Sequence, residues 1–153
     1  MAVNRSYGNY KRKTLMIKAD LANKAMAAVE AKAREMNLSL TMAVVDEYGG
    51  LVFLKRMDGA LVVSPDFARA KAYTSAVLMA PTAQIAQMVG EGKPYHGLTD
   101  LKGGDFTVIA GGIPVKADGR VVGAVGVGGS PDPAQDEVCA KEAAEFIQNN
   151  FAQ

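Results

Sequence analysis

Gly111-Gly112-Ile113-Pro114-Val115-Lys116-Ala117-Asp118-Gly119-Arg120-Val121-Val122-Gly123-Ala124-Val125-Gly126-Val127-Gly128-Gly129-Ser130, continued by residues 131–137, is the stretch that decides the fold. Asp118-Gly119 is a two-residue hairpin signal because both positions tolerate positive φ, so residues 113–116 and 120–127 read as strands paired across it. Gly123, Gly126 and Gly128 interrupt the second run. Glycine weakens a strand interior, so its recurrence means that another backbone, a side chain or a ligand comes close there. The strand breaks at Gly128-Gly129-Ser130-Pro131 into a helix beginning near residues 132–134. Free backbone N–H groups and a helix N-terminus then stand beside the glycines, a geometry suited to an anion. A centrally buried strand followed by an ordinary capped helix accounts for the same residues without a ligand, and both readings stay open here.

The 153 residues suit one domain large enough to bury a core: residues 1–14 read as an N-terminal arm and 15–153 as a single domain. With 49% hydrophobic residues, 22% charged and a net charge of +1, nothing electrostatic points to nucleic acid. Lys11-Arg12-Lys13 reads as a solvated part of the arm. A lone Cys139 excludes an internal disulfide and a multi-cysteine metal site, which suits a reducing compartment. With no apolar run of membrane-spanning length and no secretory pattern, the expectation is a cytoplasmic protein.

Outward from the hairpin, Ala22, Met26, Val29, Ala33 and Met36 recur at helical spacing within residues 18–37, and their small side chains suit close packing on a sheet. Leu38, Leu40, Met42 and Val44 alternate as in a strand; Asp46-Glu47-Tyr48-Gly49-Gly50 turns it, and residues 51–57 return. Ser64-Pro65-Asp66 reads as N-cap, first-turn proline and dipole-complementing acid of a helix running to about Leu78. Helical projection puts Lys71 on the same face as Phe67, Thr74 and Leu78, so its ammonium either snorkels from the edge of an apolar stripe or points into a pocket. A short helix carrying Thr82, Ile85, Met88 and Val89 and stopped by Gly90, a long glycine-rich loop over residues 91–105 and a strand at 106–109 precede the hairpin. The last helix turns Cys139, Ala143, Phe146 and Ile147 to the core, which makes Cys139 a small hydrophobe. Strands joined by short turns give an antiparallel sheet with helices packed on it, an α+β domain.

Val44-Val45-Asp46 with Gly50, Arg56-Met57-Asp58-Gly59-Ala60, Ala68-Arg69-Ala70-Lys71-Ala72-Tyr73, Gly111-Gly112-Ile113-Pro114, Gly123-Ala124-Val125-Gly126-Val127 and Asp136-Glu137 resemble, in this order, the GlcG/HbpS-like family, which includes the C-terminal domain of PduO-type corrinoid adenosyltransferases. The resemblance runs from about Leu15 to Ile147. It implies a profilin-like fold with a five-stranded antiparallel sheet flanked by helices, assembly into homo-oligomers and, for some members, haem binding or a role in cobalamin handling. The chain departs from the family pattern at Gly128, where a serine is common, and in having no histidine within residues 18–37, where haem-binding members carry ligands.

The residues offer catalytic candidates in Asp58, Lys71 and His96, binding candidates in Arg56, Lys71, His96, Gly128, Gly129 and Ser130, and one metal candidate, His96. Arginine and lysine beside free amides suit a carboxylate or phosphate, and Asp58 is placed to accept a proton or to lock a turn with Arg56. The first expectation is an oligomeric small-molecule-binding protein, with haem or a corrinoid as the ligand the family implies. The alternatives are an isomerase or lyase working by acid–base chemistry on a small carboxylated metabolite, and a structural partner of a neighbouring enzyme. Neither nucleic acid nor membrane is an expected partner.

Overall fold

The computed structural model describes residues 15–151. Helix α1 (Ala19–Glu35) carries Asp20 in its first turn and Lys32 and Arg34 in its last, each complementing the dipole. It stops where Asn37 enters the left-handed region at φ 56°, with Leu38 N–H donating to Ala33 O at 2.8 Å and Asn37 N–H to Arg34 O at 3.0 Å. Both bonds satisfy carbonyls that the helix end leaves free.

Strand β1 (Thr41–Asp46) turns into β2 (Leu51–Arg56) through Asp46, whose Oδ1 accepts from Tyr48 N at 2.9 Å and Gly50 N at 2.8 Å. Helix α2 (Ser64–Val77) and the short helix α3 (Thr82–Ile85) follow, then β3 (Gly112–Ala117), β4 (Arg120–Gly128) and helix α4 (Pro133–Asn150). The β3–β4 turn is Asp118-Gly119, with both residues at positive φ. The sheet is antiparallel throughout, in the order β2-β1-β4-β3.

Helices α1 and α4 cover one face of the sheet, where Met26, Val29, Met42, Val44, Val125, Val127 and Ile147 meet in the larger core. Helix α2 covers the other face through a cluster of small side chains, Ala43, Val45, Ala68, Ala72, Ala76 and Ala124. Among the described residues no helix is long and apolar enough to cross a membrane.

Two expectations are corrected. The sheet has four strands, not five, because residues 106–109 form none. Their backbone is satisfied by hydroxyls: Thr107 N–H donates to Thr74 Oγ1 at 3.0 Å and Ile109 N–H to Thr107 Oγ1 at 3.2 Å, which leaves no ladder to build. Ser64 is not the cap of α2; Val63 is, and the buried Ser64 hydroxyl bonds Leu61 O at 2.6 Å and Thr41 Oγ1 at 2.7 Å, tying the start of α2 to β1.

Candidate functional site

Gly126 and Gly128 of β4 face α2, whereas a Cβ on Gly123 would meet Val45 O of β1 and Ile17. A Cβ on Gly126 would collide with Ala68 O and stand 2.5 Å from Ala72 N; one on Gly128 would stand 2.7 Å from Phe67 Cβ; one on Gly112 of β3 would strike Lys71 O. The group that approaches Gly126, Gly128 and Gly112 is therefore helix α2.

That approach places Lys71 between α2 and the end of β4, where it is 1% exposed. Its Nζ donates to Asp136 Oδ2 and to Val127 O, both at 2.9 Å, and stands 5.9 Å from the centre of the Phe67 ring. Asp136, 2% exposed in the first turn of α4, accepts the Ser130 N–H on its other oxygen at 3.0 Å. Burial pushes the Asp136 carboxyl above its usual value, against the opposing pull of the Lys71 ammonium and the Ser130 amide. The Ser130 amide thus has an anion, and the chain supplies it. Lys71 neither snorkels nor lines the cleft described below. Sequence reasoning missed Asp136 as its partner. The signal was the Asp136-Glu137 motif, six residues past Ser130, together with the rule that a lysine on a buried face needs a counter-charge.

Arg56 and Asp58 lie elsewhere, in an open cleft of about 520 Å³ between the C-terminal end of α1 and the end of β2. Glu30 on its wall holds Lys55 at 2.5 Å and Arg34 at 3.6 Å. Arg56 lines this cleft and makes no ion pair among the described residues, not even with Asp58. Met57 shares the wall, and its sulfur accepts from Leu40 N at 3.4 Å.

His96 is exposed in the loop after α3, where its backbone N–H donates to Lys93 O at 3.2 Å. Among the described residues no three His, Cys, Asp or Glu side chains gather as metal ligands do. Burial pushes the Cys139 thiol up to about 11, so it is a neutral core side chain at physiological pH. The catalytic candidates are not assembled: Asp58 lines the cleft, Lys71 is sealed in the interior and His96 stands on a loop outside the cleft.

The model of a family described as haem degrading protein HbpS-like matches residues 17–145. The chain belongs to the HbpS-like family. A relative from Citrobacter freundii, a 15.0 kDa protein of the dhaT-dhaS intergenic region, is 39% identical over 124 residues, 81% of this chain and 87% of that one. The crystal structure of Klebsiella pneumoniae protein ORFY superposes with a TM-score of 0.85 at 33% identity, covering 96% of this chain and 98% of the other. The structure of a PduOC:haem complex superposes with a TM-score of 0.81 at 25% identity, covering 86% and 95%.

Proposed function

We propose that this HbpS-like chain is a small-molecule-binding protein whose ligand carries a carboxylate, held by Arg56 in the cleft at the end of β2. The observation that carries the reading is the uncommitted Arg56 guanidinium in a cleft of about 520 Å³ whose other cations are already tied to Glu30. A guanidinium takes a carboxylate through two parallel N–H bonds, so it supplies orientation as well as charge. Ser39 and Asn37 on the same wall add polar partners for hydroxyl groups.

Haem is the candidate that the family description and the PduOC:haem neighbour bring forward, and its propionates would satisfy Arg56. The residues of this chain do not fit an enclosed haem. The cleft is walled mainly by polar side chains, and the one histidine, His96, is exposed and outside it. A corrinoid is bulkier than haem and outsizes a cleft of about 520 Å³. A small carboxylated metabolite fits the cleft better.

Calorimetric titration with a panel of small mono- and dicarboxylates is expected to find a binder whose affinity Arg56→Ala lowers by roughly 1.5–3 kcal/mol, the usual worth of a hydrogen bond to a charged group. Binding that ignores Arg56→Ala removes the cleft from consideration. A parallel haem titration is expected to leave the Soret band at its free-haem position; a shifted band that His96→Ala abolishes would instead make the one imidazole an iron ligand. A shifted band unchanged in that variant sends the search for the ligand to Met or Tyr, since Cys139 is buried.

A further inference from the structure

The charges of the cleft are unevenly placed. Arg34, Lys55 and Arg56 line it together with Glu30 and Asp58, so one cation stands in excess of the carboxylates. Glu30 is the inner group: its side chain is 17% exposed, against 50% for Lys55 and 70% for Arg34, the two cations that it holds. Arg34 follows Glu30 one turn along α1, and Lys55 reaches it from β2. A single shielded carboxylate thus takes a cation from each wall.

A carboxylate arriving from solvent therefore meets cations of two kinds. Lys55 and Arg34 are already neutralised by Glu30, while Arg56 makes no ion pair among the described residues. A ligand with a second carboxylate has two places to put it, and both are unfavourable. Taken to Lys55 and Arg34, it strips Glu30 of both partners in a place largely shielded from water, and a shielded charge left alone costs more than the exposed pair that replaces it returns. Taken towards Asp58, it meets a charge of its own sign that no cation among the described residues offsets. Setting an unpaired or like charge against the wrong ligand is a general means of rejecting it.

We propose that Glu30 is a specificity-determining residue of the cleft: it occupies the cations that a second ligand carboxylate would need, so the cleft takes small monocarboxylates and rejects dicarboxylates, with Asp58 adding to the rejection. The inference rests on the carboxylate reading of the cleft and narrows it. The charge balance agrees, since the one cation in excess is matched by one ligand carboxylate and not by two. Asp58 gains a use in the same complex. An ionised carboxylate only accepts hydrogen bonds, so a hydroxyl on the bound monocarboxylate suits it.

Two pairs of acids of equal carbon number provide the test: butyrate against succinate, and 3-hydroxybutyrate against malate, titrated to millimolar concentration at neutral pH and followed by NMR at the amides of residues 37–39 and 55–58. Wild type is expected to bind the monocarboxylate of a pair at least about tenfold tighter than the dicarboxylate, the scale of one opposed charge at short range. Glu30→Gln is expected to remove that preference or reverse it. Asp58→Asn, at an exposed position without an ion pair among the described residues, is expected to shift it in the same direction. Arg56→Ala tells the two possible failures apart. Where it leaves the binding of all four acids unchanged, or where none of the four moves those amides, the carboxylate reading of the cleft falls and this inference falls with it. Where Arg56→Ala weakens binding but wild type takes the dicarboxylate as tightly as the monocarboxylate, or a folded Glu30→Gln keeps the wild-type preference, the cleft retains its ligand class and Glu30 loses its role. Should Glu30→Gln not fold, the wild-type preference and its shift in Asp58→Asn decide, and a preference that Asp58→Asn leaves unmoved overturns the proposal.

Discussion

Lys71→Met is expected to destabilise the protein by about 3–5 kcal/mol, the range for breaking a buried ion pair from one side. The substitution keeps the length of the side chain and removes the ammonium. Asp136 Oδ2 and Val127 O, both at 2.9 Å from Nζ, then lose their donor in a place where water does not reach: Lys71 and Asp136 are 1% and 2% exposed. Asp136 keeps only the Ser130 amide. The loss depends on pH in a stated direction. Burial already raises the Asp136 carboxyl, and removing the cation that pulls it down raises it further. A carboxyl whose folded value exceeds its unfolded one, about 3.9, binds more protons folded than unfolded between the two. Stability of the variant is therefore fullest below the unfolded value and is lost as pH rises through the folded one. Urea unfolding at pH 4 and pH 8 is expected to show the larger deficit at pH 8. A deficit inside about 0.5 kcal/mol at both, as surface substitutions give, would mean that the pair contributes nothing.

What the residues disclosed in advance was local and facial. Asp118-Gly119 placed a turn because two successive positive φ values have few other tenants, and the structure puts both residues there. The alanines and Met26 placed α1 because a 3.6 period is visible over so long a run. Residues 106–109 misled because an apolar stretch of strand length says nothing about which partner reaches its amides first, and Thr74 on α2 does.

The candidate site was less legible for a related reason. Periodicity tells which face a side chain takes and not what covers that face. Lys71 was visible as a lysine on an apolar face, while its partner lay 65 positions away on another helix. Arg56, grouped with Lys71 because both sit near strand ends, lines a cleft that Lys71 does not reach. The glycines of β4 did announce a close approach. Whether helix or ligand made it was beyond any reading of one chain's pattern, and the structure assigns it to α2 at Gly126 and Gly128 and to Val45 and Ile17 at Gly123.

Gly126→Ala carries the second large effect, and its sign is set by what the added methyl meets. Gly126 has no positive φ, so alanine adopts its conformation without strain and, by restricting the unfolded chain, would by itself stabilise by about 0.4–1 kcal/mol. The methyl however falls on Ala68 O, 2.5 Å from Ala72 N and 3.0 Å from Ala72 Cβ. Two of those obstacles are backbone, which has no rotamer to change. Helix α2 must lift from the sheet, separating Ala68, Ala72 and Ala76 from Ala43, Val45 and Ala124. Overpacking costs about 1–3 kcal/mol where side chains are free to shift, and a rigid helix in the way puts Gly126→Ala at or above the upper end. Lys71 rides on the same helix, one residue before Ala72, so the lift also draws Nζ away from Asp136. The two substitutions therefore damage one contact. Because sites that share a contact are not additive, Gly126→Ala combined with Lys71→Met is expected to cost at least about 1 kcal/mol less than the sum of the single effects, measured by urea unfolding of the four proteins in the cycle. Strict additivity would show that α2 accommodates the methyl without moving Lys71, and that the glycine row and the buried pair are independent features of the fold.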